Sequence, residues 1–384
     1  MSNPQAWSSL VRFIRQYYAT AEGLVPLHAP CFDQREKDLV TNCIDSTFVS
    51  SVGQYVTEFE QQVAAFTGAK YAVAVVNGTV GLYLALKVVG VQSNDLVLTQ
   101  SLTFVATPNA IKMHQADPVF IDVEPETMGL CPAALKAFLT EHSDQRNGRC
   151  IHRQTGRVIR ACVPMHTLGF PARIDAILDI CNQYNIALVE DAAESLGSVY
   201  HGRHTGRFGQ LGVFSFNGNK IITTGGGGML ITDDAELARH AKHLSTTAKV
   251  PHAWLFEHDE PAYNLRMPNL NAALGVAQMQ KLPQFIAQKR QLAQHYQHQP
   301  GLVMQKEPAN TQANYWLNAL MCQDQTERDA FLDWTNSQQI QTRPLWTPMH
   351  QLPIYAQALR GEMTQTEWLA ARVVNLPSSV VNDA

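Results

Sequence analysis

The chain has 384 residues, 45% of them hydrophobic and 16% charged, with 29 Lys+Arg against 33 Asp+Glu and a formal net charge of −4. That length carries one large and one smaller domain with a substantial core, while the balanced charge excludes a general polyanion-binding surface, so no nucleic-acid partner is expected. Seven cysteines without a C-x-x-C pair argue against a disulfide scaffold. Arg12 and Arg15 interrupt the one apolar stretch at the N-terminus, which excludes a signal peptide or membrane span there. The reading is a cytoplasmic globular protein with reduced, buried thiols. The 14 histidines are scattered without a supporting ligand set, so no metal site is expected.

Residues 4–20 place Leu10, Phe13, Ile14 and Tyr17 at helical spacing, which predicts an amphipathic helix packed on the outside of the body. A second helix is predicted around Val56, Phe59, Val63 and Phe66, closed by Gly68. The apolar run from Tyr71 to Val76 reads as a strand that turns through Asn77-Gly78-Thr79 into a helix. Such a turn presents free backbone N–H groups and the positive end of a helix dipole, a ready phosphate site. Residues 96–99, 118–123 and 161–165 are further buried strands. Phe104 follows the first of these, where an aromatic can stack on a flat ring. His166 directly follows the last and is placed to face a pocket. The segment 141–160, with Arg146, Arg149, Arg153, Arg157 and Arg160, reads as a solvated insertion.

Residues 186–190 form a strand too short for a helix, and it delivers Asp191 at its carboxyl end, where open α/β sheets place ligands. A second run, Val213 to Phe216, delivers Ser215 and then Lys220, followed by the glycines 225–228. Either residue alone reads as a turn or a solvated loop. Together, a carboxylate, a hydroxyl and a lysine beside flexible backbone match the needs of pyridoxal 5′-phosphate (PLP): a lysine to form the Schiff base, a carboxylate for the pyridine nitrogen, a hydroxyl for phosphate.

After a helix at 234–244, residues 245–268 are irregular and long for a structureless loop, which favours a functional or intersubunit role. Two helices, 270–282 and 284–296, precede strand-like residues 313–322, a helix near 328–337 and a Pro-rich stretch. Alternating strands and helices from 70 to 243 imply a mostly parallel sheet sandwiched by helices. The predicted division is 1–24, an N-terminal helix packing on the body; 25–268, a large PLP-binding domain; and 269–384, a small C-terminal α+β domain.

Five ordered motifs then carry a resemblance: Asn77-Gly78-Thr79-Val80-Gly81-Leu82, Thr103-Phe104-Val105-Ala106-Thr107, Glu190 to Glu194, Phe214 to Lys220, and Tyr263-Asn264-Leu265-Arg266-Met267. They resemble those of the DegT/DnrJ/EryC1/StrS family of PLP-dependent sugar aminotransferases. Phe48 to Gly53, Met165-His166-Thr167 and Pro268 to Gly275 look like the LegC branch, which serves legionaminic-type (nonulosonic) acid pathways. The chain departs from the family pattern at Gly226, where many members have glutamate, and at Ala262, where glycine commonly stands.

The resemblance implies a fold-type I transferase with a seven-stranded sheet. It makes Lys220 the Schiff-base lysine and proton shuttle, Asp191 the partner of the ring nitrogen, Phe104 the stacking aromatic and Glu194 a neighbour of the 3-hydroxyl. Gly78, Thr79 and Ser215 would hold the phosphate, joined by Asn264 from a neighbouring subunit, which implies a homodimer with shared sites. The implied reaction moves an amino group from L-glutamate to a nucleotide-linked 4-keto-6-deoxy sugar, foremost UDP-2-acetamido-2,6-dideoxy-4-hexulose, for a surface glycan. GDP- or dTDP-linked ketosugars are the alternatives. Two rivals are dehydratase relatives, which lack the lysine, and a non-catalytic regulatory protein, which has no need to keep Asp191, Ser215 and Lys220 together.

Overall fold

A computed structural model describes residues 4–381. Its centre is a seven-stranded sheet in the order Tyr71–Val75, Gly228–Thr232, Leu211–Ser215, Ala187–Asp191, Ile159–Val163, Leu96–Gln100, Asp117–Ile121. Gly228–Thr232 runs antiparallel to both its neighbours and the other pairs are parallel. Six strands therefore end on one side of the sheet, and the seventh begins there.

Alternation of side chains across the pleat explains why helices cover both faces. Val213 and Leu230 pack under the helices Gly78–Val88 and Ala235–Ser245, whereas Phe214, Met229 and Ile231 join Phe59 and Val63 of Gln54–Thr67 on the opposite face. Gly68 closes that last helix at φ 73°, the left-handed C-terminal stop expected of it.

The structure departs from the sequence reading in three places. The polar segment 141–160 is not a loose insertion: Ser143–Arg146 pairs with Arg149–His152 as a hairpin. Its turn is Asn147-Gly148, both at positive φ, the chemistry a two-residue hairpin demands. Four of its arginines are occupied: Arg146 and Arg153 by Asp144, Arg157 by Asp117, Arg160 by Asp95. A helix absent from the sequence reading, Gln34–Asp45, starts at a capping box in which Glu36 accepts from the Asp33 N–H and Asp33 accepts from Arg35. The two helices expected at 270–282 and 284–296 are one, Asn269–Gln297, running through Pro283. Burial of Met279, Leu282 and Phe285 on either side of the proline holds the turn together against its missing N–H.

The N-terminal helix Pro4–Tyr17 docks on the C-terminal elements. Trp7, Leu10 and Ile14 cluster with Leu292, Tyr296, Phe331 and Val374. Those elements include a four-stranded antiparallel sheet, ordered Val303–Met304, Asn318–Met321, Val373–Leu376, Arg343–Pro344. Helix Asn269–Gln297 joins the two bodies: Ala272, Ala273 and Val276 pack with Phe59, and Leu292 and Tyr296 pack with the N-terminal helix.

Candidate active site

The site lies where the parallel strands end. Asn77 caps helix Gly78–Val88 by accepting from the Val80 N–H at 2.9 Å, and the first turn of that helix faces a cavity of about 330 Å³. N–H groups of a first helical turn have no intrahelical partner, so the cavity floor is an anion cradle. Ser215, the last residue of its strand, stands across from Gly78. A Cβ on Gly78 would meet the Ser215 Cβ at 3.0 Å, so only glycine leaves the gap open.

Asp191 enters from the next strand. Its carboxylate is buried, with one oxygen accepting from the Thr107 hydroxyl at 2.7 Å and the other from the Ala193 N–H at 3.2 Å. Burial pushes its carboxyl above the usual range, while the Thr107 and Ala193 hydrogen bonds and the nearby Lys220 pull it back. Lys220 follows the turn closed by its own N–H to Asn217 O. Its Nζ lies 3.3 Å from Glu194 Oε1 and 4.1 Å from the ring centroid of Trp316. Glu194 is held from behind by the Leu168 N–H at 2.8 Å, and burial raises its carboxyl to about 7 against the pull of Lys220. Phe104 is half exposed on the cavity wall, 6.4 Å from Trp346 between ring centroids.

The fold thus brings Gly78, Thr79, Phe104, Asp191, Glu194, Ser215 and Lys220 to one cavity. Two anticipated residues lie elsewhere. His166 does not face the cavity; it is fully buried, with Nδ1 accepting from the Ala172 N–H at 3.1 Å and Nε2 2.9 Å from Glu190. Because Nδ1 accepts, the hydrogen-bond network puts the proton on Nε2, which donates to Glu190. Met165 lines the cavity instead, since consecutive residues at a strand end point to opposite faces. Asn264 is exposed in the segment after residue 245, bonded to Arg266 Nε at 2.9 Å and outside this chain's own cavity.

Sequence reasoning missed Thr107, Trp316 and Trp346. Thr107 stands inside a motif that was read for its aromatic; the two tryptophans belong to the C-terminal elements, and only the tertiary fold brings them over Lys220 and Phe104. Among the described residues, one group has metal-ligand spacing, His243, Asp259 and Glu260, but it sits at the surface away from the cavity, with His243 and Asp259 paired at 2.6 Å. No helix among them is long and apolar enough to cross a membrane.

A phosphate cradle at a helix N-terminus, a buried carboxylate and a lysine around one cavity fit PLP. The comparisons agree. Residues 30–381 match the DegT/DnrJ/EryC1/StrS aminotransferase family. EpsN of Bacillus subtilis (strain 168), described as a candidate pyridoxal phosphate-dependent aminotransferase, is 36% identical over 92% of this chain and 90% of its own length. The GDP-perosamine synthase of Escherichia coli O157:H7 is 33% identical over 92% and 93%. The crystal structure of the aminotransferase TlmJ from Streptoalloteichus hindustanus superposes with a TM-score of 0.83 at 28% identity, covering 93% of this chain and 94% of that one.

Proposed function

Because the chain belongs to the DegT/DnrJ/EryC1/StrS aminotransferase family, we propose that it moves an amino group from L-glutamate to a nucleotide-linked 4-keto-6-deoxy sugar. It is a PLP-dependent transaminase. The observation that carries the reading is the convergence of Lys220, Asp191 and the Gly78–Ser215 gap on one cavity.

PLP, when bound, supplies an electron sink for the pair left behind as the amino-bearing carbon loses its proton. The protein's own groups do the rest. Lys220 Nζ takes and returns that proton, with Glu194 Oε1 beside it to share the charge. The Asp191 carboxylate is placed to keep a proton on the ring nitrogen. Gly78, Thr79 and Ser215 bind the phosphate, Phe104 stacks on the ring, and Trp316 and Trp346 wall out water. Asn264 serves the site of a second copy, so the working unit is a homodimer.

The LegC-like motifs favour UDP-2-acetamido-2,6-dideoxy-4-hexulose as acceptor, in nonulosonic acid or surface-glycan biosynthesis. A GDP-linked ketosugar is the second reading, supported by the 33% identity to GDP-perosamine synthase. The free cysteines suit a cytoplasmic setting.

The absorbance spectrum before and after L-glutamate tests the first half of the reaction. A visible band that moves to shorter wavelength is expected; a protein that stays colourless with added PLP overturns the reading. Incubation of the amino-loaded enzyme with UDP-, GDP- and dTDP-linked 4-ketosugars, read by product mass, then selects the acceptor.

A further inference from the structure

The segment between Thr103 and Thr107 does more than present Phe104. Thr103 and Thr107 are both fully buried, and their hydroxyl oxygens are 2.9 Å apart. Thr103 donates to Met165 Sδ at 3.0 Å, and Thr107 donates to Asp191 Oδ2 at 2.7 Å. A hydroxyl has one proton to give. Thr107 spends its proton on Asp191, so across the 2.9 Å contact Thr103 is the donor, its single proton shared between the Thr107 oxygen and Met165 Sδ. We infer that Thr107 is a positioning residue that braces the Asp191 carboxylate for PLP binding. This rests on the role given to Asp191 above.

The physical argument is a competition. Asp191 is buried, which favours its neutral form, yet only the charged carboxylate pairs strongly enough with a ring nitrogen to keep that nitrogen protonated. The charged groups that face it are Lys220 across the cavity, His166 behind the strand end and Glu194 three residues on. His166 is already committed to Glu190, and Lys220 is shared with Glu194. That leaves the Thr107 hydroxyl as the side chain donating directly to this carboxylate. A hydrogen bond to a carboxylate favours the ionised form and fixes its rotation, so a second consequence is geometric. With Oδ2 held by Thr107 and Oδ1 by the Ala193 N–H, the carboxylate plane cannot turn.

The test is equilibrium binding of PLP to the full-length protein stripped of cofactor, measured from mildly acidic to alkaline pH for wild type, Thr107→Val, Thr107→Ala and Thr107→Ser. Valine keeps the volume and removes the hydroxyl; alanine covers the case in which valine does not fold; serine restores the donor. The expected result is about ten-fold or greater loss of affinity near neutral pH in the valine and alanine variants. Their acidic limb moves to higher pH, and serine returns both properties toward wild type. Wild-type affinity and pH profile in Thr107→Val overturns the inference. So does a loss equal at every pH that serine does not repair, because that marks Thr107 as packing alone. Failure of the wild type itself to bind PLP would instead bring down the functional reading on which this rests.

Discussion

The strand ends of the large sheet and the segment 246–264 stand at opposite extremes of constraint. At the strand ends, Glu190 alone accepts from the Gly206, Phe208 and Gly209 N–H groups at 2.7, 2.6 and 2.7 Å and from His166 at 2.9 Å. That bonding fixes the backbone from which Asp191 emerges. The segment, by contrast, is tied mainly to itself and to the end of helix Ala235–Ser245, through bonds such as Thr247 N–H to Tyr263 O and Val250 N–H to Glu257 O, and it holds Trp254 and Phe256 76% and 79% exposed. One region is complete within a single chain. The other leaves large apolar rings exposed, and the homodimer proposed above would be the partner that covers them.

That contrast can be broken in several ways. The largest effect is expected from Lys220→Ala, with amine transfer falling by about 10³-fold or more in a coupled assay while the fold persists. Next, Glu190→Ala strips a saturated buried network of its acceptor. A loss of about 3 kcal/mol in chemical denaturation is expected, although Glu190 does not line the cavity. A Glu190→Ala protein of wild-type stability would mean that the strand ends are held by something else.

Glu194→Gln sharpens the same region through pH. Burial raises Glu194 to about 7, so the folded protein holds this proton more tightly than the unfolded chain does. Its contribution to stability is complete below the ordinary carboxylate range and is lost as pH rises through about 7. The glutamine variant lacks that slope, so its melting temperature should gain on wild type as pH rises across that window. Parallel melting curves for the two proteins would contradict the assignment. The smallest effect on the isolated chain belongs to the other region. Trp254→Ala with Phe256→Ala should leave the stability of the single chain within about 0.5 kcal/mol. Sedimentation should nonetheless show two-copy assembly weakened by about ten-fold or more. Unchanged association would remove the segment from the interface.

What was legible in the sequence follows the same division. Asp191, Ser215 and Lys220 could be placed because each sits at the end of a short apolar run, and parallel strands deliver their last residues to one edge. His166 was misplaced because position in the chain gives the edge but not the face, and a shift of one residue exchanges it with Met165. The hairpin at Asn147-Gly148 carried a readable turn signal that the surrounding arginines obscured. Trp316 and Trp346 could not be assigned at all, since nothing local marks a tryptophan of the C-terminal elements as a wall for a cavity at the end of the large sheet. The break expected at Pro283 failed for a related reason: local chemistry argued for a stop, and burial on both sides outweighed it.

That continuous helix has a mechanical consequence. Near its start it grips the glycine-rich turn, where Asn271 Nδ2 donates to Thr224 O at 2.6 Å and Gln278 Oε1 accepts from the Thr223 N–H at 3.4 Å. Near its end it carries the cluster to which the small sheet is fixed. Pro283 lies midway, at the one turn lacking a backbone N–H, so it is the softest point of a lever roughly 40 Å long. A bend of about 5° there displaces the far end by about 2 Å. One helix is thereby the spine that fixes the position of the small sheet relative to the glycine-rich turn beside Lys220.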